Sequence, residues 1–405
     1  MQEVLQGVRV VDFTRHMSGP YCTLLLGDFG ADVIKVESMP HGDPTRKMGT
    51  AFIDGESSLF LIWNRSKRSL ALDTRKPQAR EILHRLVSKA DVLAENFRPG
   101  VAQKMGLGYE ELAALNSRLI YLSISAFGAS GPYARVPGTD PVVQAMSGVM
   151  SVTGEAGRDP VLVGFPVADF ASAMVAVQGV LLGLLARHAT GRGQRVDIPM
   201  LASLVFGLTT RLATYWGSGK EPVREGSSHS AVAPYQRYVA QDGDIVAGAW
   251  TTDSWPRFCQ ALELPELVDD PRFADNVQRM RNRAALNDIL DATFRTRTVA
   301  QWEQAFRQSN GLFGPVLTIP QMLEHPQVKA LGIVQSLEHP KLGPIPHIAS
   351  PIFMSDTPAE VRLPPPQYGQ HTQQVLNELG YSDRQVAELA SAQVVHLAAA
   401  EHPHG

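Results

Sequence analysis

Residues 8–37, VRVVDFTRHMSGPYCTLLLGDFGADVIKVE, begin and end with a short apolar segment and carry a longer apolar segment between them. Strands are predicted over 8–13 and 32–37, and a helix over 21–29, because the glycine at position 30 is typical just past a helix end. Two buried strands joined by a helix are characteristic of a parallel βαβ unit. This stretch therefore predicts an α/β fold built on a parallel sheet.

The same alternation continues through the first 200 residues. Short apolar strands alternate with helical segments whose apolar positions recur every three or four residues. The further elements are strands over 69–73, 91–95, 119–125 and 195–198 and helices over 77–89 and 109–115. Helices between parallel strands cover both faces of a sheet, so we expect a Rossmann-like, doubly wound parallel sheet.

A change in composition near residue 220 indicates a second domain. Residues 220–230 are polar and rich in turn-forming residues, and a hairpin over 235–250 with Asp242-Gly243 at its turn follows. Later helices complete a smaller α+β domain. The expected organisation is a large domain over 1–200 completed by about 345–405, a linker over 201–227, a small domain over 228–325 and a second linker over 326–345.

The composition describes a water-soluble protein with a sizeable core. Of the 405 residues, 44% are hydrophobic and 19% charged, and the net charge is −3. Such a charge favours neither nucleic acid nor a membrane surface, and no secretion signal is recognised. Cys22 and Cys259 lie far apart and the histidines are scattered, so neither disulfides nor a metal site are expected. A cytoplasmic protein is the resulting expectation.

The most informative segment is a long apolar run, residues 170–186, which Asp169 directly precedes. The run is apolar on nearly every face, so it predicts a helix buried inside the large domain. A carboxylate at the start of such a helix gains from the positive end of the helix dipole and remains ionised where water is scarce. Asp169 is therefore expected to cap the helix, to act as a nucleophile, or to do both.

A dinucleotide cofactor is the first alternative that the opening βαβ unit raises. Glu37 ends the second strand, where an acidic residue holds a ribose in dinucleotide-binding folds. The loop over 14–20 lacks the GxGxxG spacing, however, and Pro20 removes one of the N–H groups that a pyrophosphate would use. Nicotinamide chemistry is therefore not expected.

Several motifs taken together resemble the class III CoA-transferases, the family that includes formyl-CoA transferase, carnitine CoA-transferase and α-methylacyl-CoA racemase. In the first 200 residues these motifs are LQGVRVVDFT (5–14), GDFGADVIKVE (27–37), NRSKRSL (64–70), ENFRPG (95–100), GPY (131–133), DP (140–141), the Asp169 segment and TGRGQ (190–194). The match continues with DPRF (270–273) and GQHT (369–372). Each motif alone is weak, but their combination is specific and covers nearly the whole chain.

In this family the aspartate that matches Asp169 is the nucleophile, and the resemblance implies the same role here. It attacks the thioester of an acyl-CoA donor, and a mixed anhydride and then an aspartyl-CoA thioester form before CoA passes to the acceptor acid. Coenzyme A, as part of the acyl-CoA substrate, is therefore the expected cofactor. Because the energy of the thioester is kept, no metal is expected, and no nicotinamide is expected either. The resemblance also implies an interlocked homodimer.

The resemblance further implies a set of residues that bind CoA. They supply cations for its phosphates and apolar surface for adenine and the pantetheine arm. They are Met17, Leu72, Arg75, Asn96, Phe97, Arg98, Lys104, Met105 and Arg135. A solvated surface position is the plain alternative for the charged members, and the ordinary core is the alternative for Phe97 and Met105.

Position 139 separates two kinds of reaction. Racemases that resemble this chain carry a histidine directly before the aspartate matching Asp140, and that histidine acts on the α-carbon; here the residue is Thr139. Threonine does not act as a base near neutral pH. Acyl transfer is therefore expected. Racemisation or another isomerisation of CoA thioesters is one alternative, and a catalytically silent CoA-binding protein is the other.

The expected acceptor is a dicarboxylic acid and the expected donor is succinyl-CoA, because residues 224–236 and 364–372 resemble the succinyl-CoA:glutarate type of transferase. Met17 and Trp250 depart from the formyl-CoA transferase pattern, which argues against the formyl-CoA and oxalate pair. A free second carboxylate favours a cation in the acceptor pocket. The candidate substrate residues are Thr139, Asp140, His41, Arg46, His229 and Trp250.

Overall fold

The computed structural model describes residues 3–398. In chain order its strands are β1 (Arg9–Asp12), β2 (Asp32–Ser38), β3 (Phe52–Ile53), β4 (Glu56–Ser57), β5 (Lys67–Leu72), β6 (Val92–Glu95), β7 (Ile120–Ser125), β8 (Arg195–Pro199), β9 (Tyr235–Val239), β10 (Asp244–Gly248), β11 (Leu312–Pro315), β12 (Val334–His339), β13 (Gly343–Ile348) and β14 (Val395–His396).

The α-helices in the same order are α1 (Ser18–Asp28), α2 (Ser58–Trp63), α3 (Pro77–Ser88), α4 (Val101–Lys104), α5 (Tyr109–Leu115), α6 (Asp140–Met146), α7 (Val149–Val152), α8 (Val167–Thr190), α9 (Met200–Gly207), α10 (Thr209–Ser218), α11 (Ser254–Leu262), α12 (Glu266–Asp269), α13 (Asn276–Arg281), α14 (Arg283–Phe294), α15 (Val299–Ser309), α16 (Ile319–Glu324), α17 (Pro326–Leu331), α18 (Thr372–Glu378) and α19 (Asp383–Ser391). A short 3-10 helix covers Pro44–Lys47.

These elements form two compact units. The large unit comprises the described residues of Met1–Val149, Leu162–Ala213 and Lys329–Gly405, and the small unit comprises Met150–Val161 and Thr214–Val328. The segment 201–227, expected to be a linker, holds most of α9 and all of α10, and the second expected linker holds α17, β12 and the start of β13. The apolar character of α9 explains why the first of these segments is helical rather than extended.

Within the described residues, seven strands of the large unit form one sheet in the order β14-β5-β2-β1-β6-β7-β8. The six strands from β5 to β8 in this order are parallel. At the other edge β14 runs antiparallel to β5, with Val395 opposite Leu72. The predicted α/β class with a parallel, Rossmann-like sheet is confirmed, and β14 is an edge strand that the sequence did not reveal.

Two apolar cores lie on the two faces of this sheet. Val11 belongs to the core that includes side chains from α3, α5, α18 and α19, while its neighbour Val10 belongs to the core that includes side chains from α1, α8 and α9. Successive residues of a strand point to opposite faces, so both faces of β1 are covered by helices. The sheet is therefore doubly wound.

Buried charges fix the carboxyl ends of the first strands. The Lys67 ammonium lies 3.1 Å from the Asp12 carboxylate, and the Lys35 ammonium lies 2.7 Å from Asp43. Although burial opposes it, the nearby Lys67 lowers the pKa of Asp12 below its usual value. Asp12 also accepts the backbone N–H of Thr14 at 2.8 Å. The loop that follows β1 is therefore held rigidly at the sheet edge where α/β folds bind ligands.

The small unit contains an antiparallel sheet in the order β11-β10-β9, and its core is rich in aromatic side chains. The predicted hairpin corresponds to β9 and β10, in which Tyr235 lies opposite Gly248. Trp302 is fully buried and donates its indole N–H to the backbone carbonyl of Phe294 at 2.8 Å. This hydrogen bond ties α15 to α14, so the small unit has a core of its own.

The long helix α8 differs from the expectation that it is buried on every side. Ala168, Ala173 and Ala176 are fully buried against the sheet, but Leu182 and Leu185 are 65% and 68% exposed in the chain. By length and composition alone α8 is the one helix in the described residues that is able to cross a bilayer, a property that core helices of water-soluble proteins share. Burial inside one chain therefore does not explain why the outer face of α8 is apolar.

Candidate active site

Asp169 lies in the first turn of α8, two residues after the helix begins at Val167. The residue at the cap position is Pro166, whose side chain accepts no hydrogen bond. The expectation that Asp169 caps the helix is therefore wrong, because the helix starts earlier than the apolar run suggested. The carboxylate of Asp169 is left for other contacts.

Asp140 performs the capping instead, from the first turn of α6. Its Oδ1 accepts the backbone N–H groups of Ala168 at 2.6 Å and Asp169 at 3.2 Å, which are free donors at any helix start. Its Oδ2 accepts the side-chain amide of Gln144 at 2.6 Å, and the amide oxygen of Gln144 accepts the backbone N–H of Val163 at 2.9 Å. Asp140 was predicted as a substrate residue, but its carboxylate is occupied with holding α8.

A second helix, α1, begins beside the same carboxylate. The Ser18 hydroxyl and backbone N–H interact with Asp169, and α1 packs against α8. A Cβ atom at Gly19 would lie 2.2 Å from Cβ of Thr14, so only glycine allows α1 to start this close to the loop after β1. Asp169 therefore lies where the positive ends of two helices meet.

Burial and the charge of Asp140 raise the pKa of Asp169 to about 6, although Ser18 opposes the shift. The helix dipole alone would have lowered this pKa, so burial and the neighbouring charge outweigh it. At neutral pH the carboxylate is still ionised in about nine molecules out of ten. A poorly solvated carboxylate with a raised pKa is a stronger nucleophile than an ordinary surface carboxylate.

Asp169 lies in the wall of a cavity of about 550 Å³ in the large unit. Four predicted residues line this cavity together: Met17, Thr139, Asp140 and Asp169. The remaining wall is mostly apolar and includes Met48, Leu59, Trp63, Leu162, Val163 and Phe165. Such a wall offers water few hydrogen-bond partners beside the nucleophile.

The loop that borders this cavity is clamped by Asn96, one of the predicted CoA residues. The Asn96 side chain accepts the N–H of Arg15 at 2.9 Å and donates to the carbonyl of Arg15 at 2.7 Å. Its neighbour Phe97 packs against Phe13 with ring centroids 6.5 Å apart, and the Arg15 guanidinium lies 5.2 Å from the Phe97 ring. Asn96 and Phe97 thus hold this loop in place, and their predicted contact with CoA stays a prediction.

A second cavity, of about 280 Å³, lies near β6, β7 and β8. It brings together two predicted CoA residues, Arg98 and Arg135, and adds Arg195 and Glu95, which the sequence did not indicate. Burial raises the pKa of Glu95 although a hydrogen bond with Ser123 opposes the shift. Three arginines line this cavity, which suits an anion such as a phosphate, although Arg195 is also bonded to Asp197 at 2.8 Å and Glu95 lies in the same wall.

The other predicted CoA residues lie outside both cavities. Leu72 is fully buried at the end of β5, so its side chain belongs to the core rather than to a ligand site. Arg75 is exposed and bonded to Asp73 at 2.8 Å. Lys104 is exposed at the end of α4, and Met105 packs partly buried against the core.

Arg46 is not free to bind a substrate. Its guanidinium makes two hydrogen bonds of 2.7 Å to the buried carboxylate of Glu37 and lies 3.6 Å from the centroid of the Phe60 ring. This pair is also the reason that Glu37 does not present a carboxylate to a ribose. His41 is exposed, and its Nδ1 lies 3.3 Å from the Lys47 ammonium. The prediction that Arg46 forms an acceptor pocket is therefore wrong.

His229 and Trp250 belong to the small unit. Their rings meet edge to face with centroids 5.0 Å apart, and His229 also stacks on Tyr235 at 5.6 Å. The N–H of Ala231 donates to Nδ1 of His229 at 3.1 Å. The two residues therefore form a local aromatic group, and their predicted substrate role remains a prediction.

Known proteins match this chain over nearly its whole length. The family model described as CoA-transferase family III matches residues 5–372. Human succinyl-CoA:glutarate CoA-transferase is 38% identical over 96% of this chain and 90% of its own length. Succinate–glutarate CoA-transferase of Agrobacterium fabrum is 36% identical over 94% of this chain and 96% of its own length.

A solved structure of a CAIB/BAIF family protein from Brucella suis is similar as well, with a TM-score of 0.83 and 35% identity over 94% of this chain and 100% of that one. The chain therefore belongs to CoA-transferase family III. It is an enzyme of the CoA-transferase class, and members of this class use CoA thioesters as co-substrates.

The site contains residues that sequence reasoning missed. Ser18 and Gln144 contact the two aspartates, and Arg195 lines the second cavity. A serine immediately before Gly-Pro at a helix start was the available signal for Ser18. Gln144 follows Asp140 by four residues on α6, a spacing at which side chains meet. Arg195 is the first residue of β8, and the sequence pattern there predicted a strand but no cavity.

Proposed function

We propose that this enzyme transfers CoA from succinyl-CoA to a dicarboxylic acid, with Asp169 as the covalent nucleophile. The observation that carries the proposal is the position of Asp169: an ionised carboxylate of raised pKa, at the start of two helices, in the wall of an apolar cavity. The reaction is inferred from the resemblance to the family. The contacts of Asp169 explain why its carboxylate is able to act as the nucleophile.

The first half of the reaction frees the donor acid. A carboxylate oxygen of Asp169 attacks the thioester carbonyl, the C–S bond breaks, and CoA leaves as the thiolate while a mixed anhydride forms. The thiolate then attacks the aspartyl carbonyl of the anhydride and releases the donor carboxylate. The product is an aspartyl-CoA thioester at Asp169.

The second half runs the same chemistry in reverse. The acceptor carboxylate attacks the aspartyl thioester and displaces the thiolate, and a new anhydride forms. The thiolate attacks the acyl carbonyl of that anhydride, so the new acyl-CoA leaves and Asp169 is restored. One thioester is consumed and one is formed, so no external energy source is needed.

The local structure suits this sequence of steps. Asp140 fixes the backbone of Asp169, so the nucleophile does not have to be ordered during the reaction. The N–H groups at the start of α1 favour negative charge near the reacting carbonyl. The apolar wall keeps water from hydrolysing the anhydride, which would waste the thioester.

The second cavity is proposed to hold the phosphates of CoA. Arg98, Arg135 and Arg195 surround it, and guanidinium groups match phosphate oxygens in geometry and charge. The dicarboxylate acceptor is supported by the names of the two relatives, both of which act with succinate or succinyl-CoA and glutarate. Thr139 at the cavity wall supports transfer rather than racemisation, because its hydroxyl is a poor base.

A homodimer is proposed from the outer face of the large unit. Leu182 and Leu185 on α8 and Phe206 on α9 are 65%, 68% and 77% exposed, which is unusual for a water-soluble monomer. A second copy covering this face would remove that apolar area from water. Light scattering after gel filtration should give twice the mass of 44.1 kDa, and a monomer at micromolar concentration contradicts this part.

The test of the transferase proposal is an acceptor screen with succinyl-CoA, in which mass spectrometry identifies each acyl-CoA product. Transfer to glutarate or another dicarboxylic acid is expected. Asp169→Ala should abolish transfer, and hydroxylamine added to wild type during turnover should modify Asp169 alone among the aspartates. Transfer by a clean Asp169→Ala preparation contradicts the mechanism, and CoA binding without any transfer favours the silent binding protein.

A further inference from the structure

The cavity beside Asp169 carries very little positive charge. Its ionisable wall residues include the carboxylates of Asp140 and Asp169. Among the described residues that line it, His16 alone has a side chain that can become a cation. A substrate carboxylate at the far end of an acyl chain therefore meets one partner of opposite charge in this wall.

The backbone of His16 adopts a conformation that few residues accept. Its φ is +64°, in the left-handed region that histidine, asparagine and aspartate tolerate better than most other side chains do. Left-handed residues persist where the surrounding structure imposes them. A bulky residue kept in this conformation at a cavity wall is a reason to look for a function of its side chain.

The residues before and after His16 are fixed. Asn96 clamps both backbone groups of Arg15, and the Lys35 ammonium donates to the carbonyl of Thr14 at 2.9 Å. On the other side the chain enters α1 at Ser18. The imidazole is therefore carried on a rigid loop between two anchored segments, which suits a group that must recognise a substrate atom at a defined place.

We propose that His16 binds the distal carboxylate of the dicarboxylic substrate and so determines which acids the enzyme accepts. This inference rests on the proposed transferase function. The reacting carboxyl group lies at Asp169, the methylene chain packs against the apolar wall near Leu59 and Trp63, and the second carboxylate meets the imidazole. A dicarboxylic acid has this same order of polar, apolar and polar groups.

The side chain of His16 is also exposed, so it is hydrated when no second carboxylate is present. An acid without that carboxylate loses the charge-assisted hydrogen bond but does not leave a buried cation unpaired. The preference that His16 confers should therefore be moderate, about 10-fold to 100-fold in kcat/KM.

The experiment compares acceptors that differ only in the second carboxylate, glutarate and pentanoate, with succinyl-CoA as donor. His16→Asn removes the imidazole and keeps a residue suited to the left-handed backbone, and His16→Lys keeps a cation. His84→Asn, on α3 outside the cavity, is the matched control. CoA affinity and melting temperature are measured for every variant, so that a folding defect is recognised.

We expect His16→Asn to lower kcat/KM for glutarate about 10-fold to 100-fold more than for pentanoate, with His16→Lys recovering much of the difference. An equal loss for the two acids, or no loss, overturns the role of His16 while the transferase function stands. If wild type moves CoA to neither acid, nor to any other dicarboxylic acid, the proposed function fails, and the role of His16 fails with it.

Discussion

Oδ1 of Asp140 accepts the backbone N–H of Asp169 at 3.2 Å. The Asp140 carboxylate therefore holds the first turn of α8, and that turn carries the Asp169 carboxylate. The same contact places two negative charges close together in a poorly solvated site. The structural role of Asp140 and the raised pKa of Asp169 are therefore two consequences of one arrangement.

Replacing Asp140 by asparagine should shift the pH dependence of the reaction. The nucleophile must be ionised, so wild-type kcat/KM should fall as the pH drops through about 6, the pKa of Asp169. Burial and the charge of Asp140 raise this pKa together, and Asp140→Asn removes the charge, so the acid limb of the profile should move to lower pH. A pH–rate profile from 4.5 to 8.5 measures the shift, and an unchanged acid limb contradicts the electrostatic role of Asp140.

Removing the charge of Asp169 should make the protein more stable while it abolishes activity. Because the folded-state pKa is raised to about 6, ionisation of Asp169 at neutral pH costs folding free energy. Asp169→Asn should therefore raise the free energy of unfolding by about 1–3 kcal/mol at pH 8. The gain should shrink as the pH falls through 6 and vanish below about 4, where wild type is protonated in both states.

Denaturant unfolding of both proteins at pH 8, 6 and 4 tests this stability difference. If Asp169→Asn is less stable than wild type at pH 8, the carboxylate contributes more through its contacts with Ser18 than it costs through burial.

Breaking the Arg46–Glu37 pair should damage folding rather than substrate binding. Both side chains are nearly inaccessible, so Arg46→Met leaves a buried carboxylate without its partner. A loss of about 3–5 kcal/mol is expected, and Glu37→Gln in the same chain should recover part of it. If Arg46→Met is soluble and normally stable but selectively loses turnover of dicarboxylic acids, Arg46 contributes to the acceptor site after all.

The sequence predicted the sheet well because its strands are apolar runs and its helices carry the usual end signals. The helix Tyr109–Leu115 has the limits that the pattern indicated. The strand β14 is two residues long, too short to leave a pattern. The site was predictable at Asp169, but its partners come from α1 and α6, and contacts between distant segments leave no periodic signal.

The wild-type enzyme should not exchange the α-hydrogen of 2-methylacyl-CoA with solvent. Such exchange needs a base at the α-carbon, and the residue before Asp140 is Thr139, whose hydroxyl does not act as one near neutral pH. Incubation in deuterium oxide followed by mass spectrometry of the thioester measures the exchange. Rapid incorporation of deuterium without acyl transfer favours the racemase.

The arginines around the second cavity should affect CoA affinity more than turnover. Arg135→Gln is expected to raise the KM for acyl-CoA about 10-fold to 100-fold with little change in kcat, because phosphate contacts are made alike in the ground and transition states. Arg75 lies outside this cavity, bonded to Asp73, so Arg75→Gln tests the phosphate contact that the family resemblance alone implied. Arg384→Gln, which removes an arginine with a side chain 88% exposed on α19, is the control and should leave KM unchanged.

A donor truncated to acyl-pantetheine separates phosphate binding from every other effect of these arginines. It has no nucleotide phosphates, so the penalty of Arg135→Gln should largely disappear with it, whereas damage to folding or to the cavity wall would persist. An equal penalty on the two donors places Arg135 away from the phosphates. If Arg135→Gln alone shows the selective penalty, the cavity lined by Arg98, Arg135 and Arg195 holds the nucleotide, and Arg75, bonded to Asp73, is a surface residue.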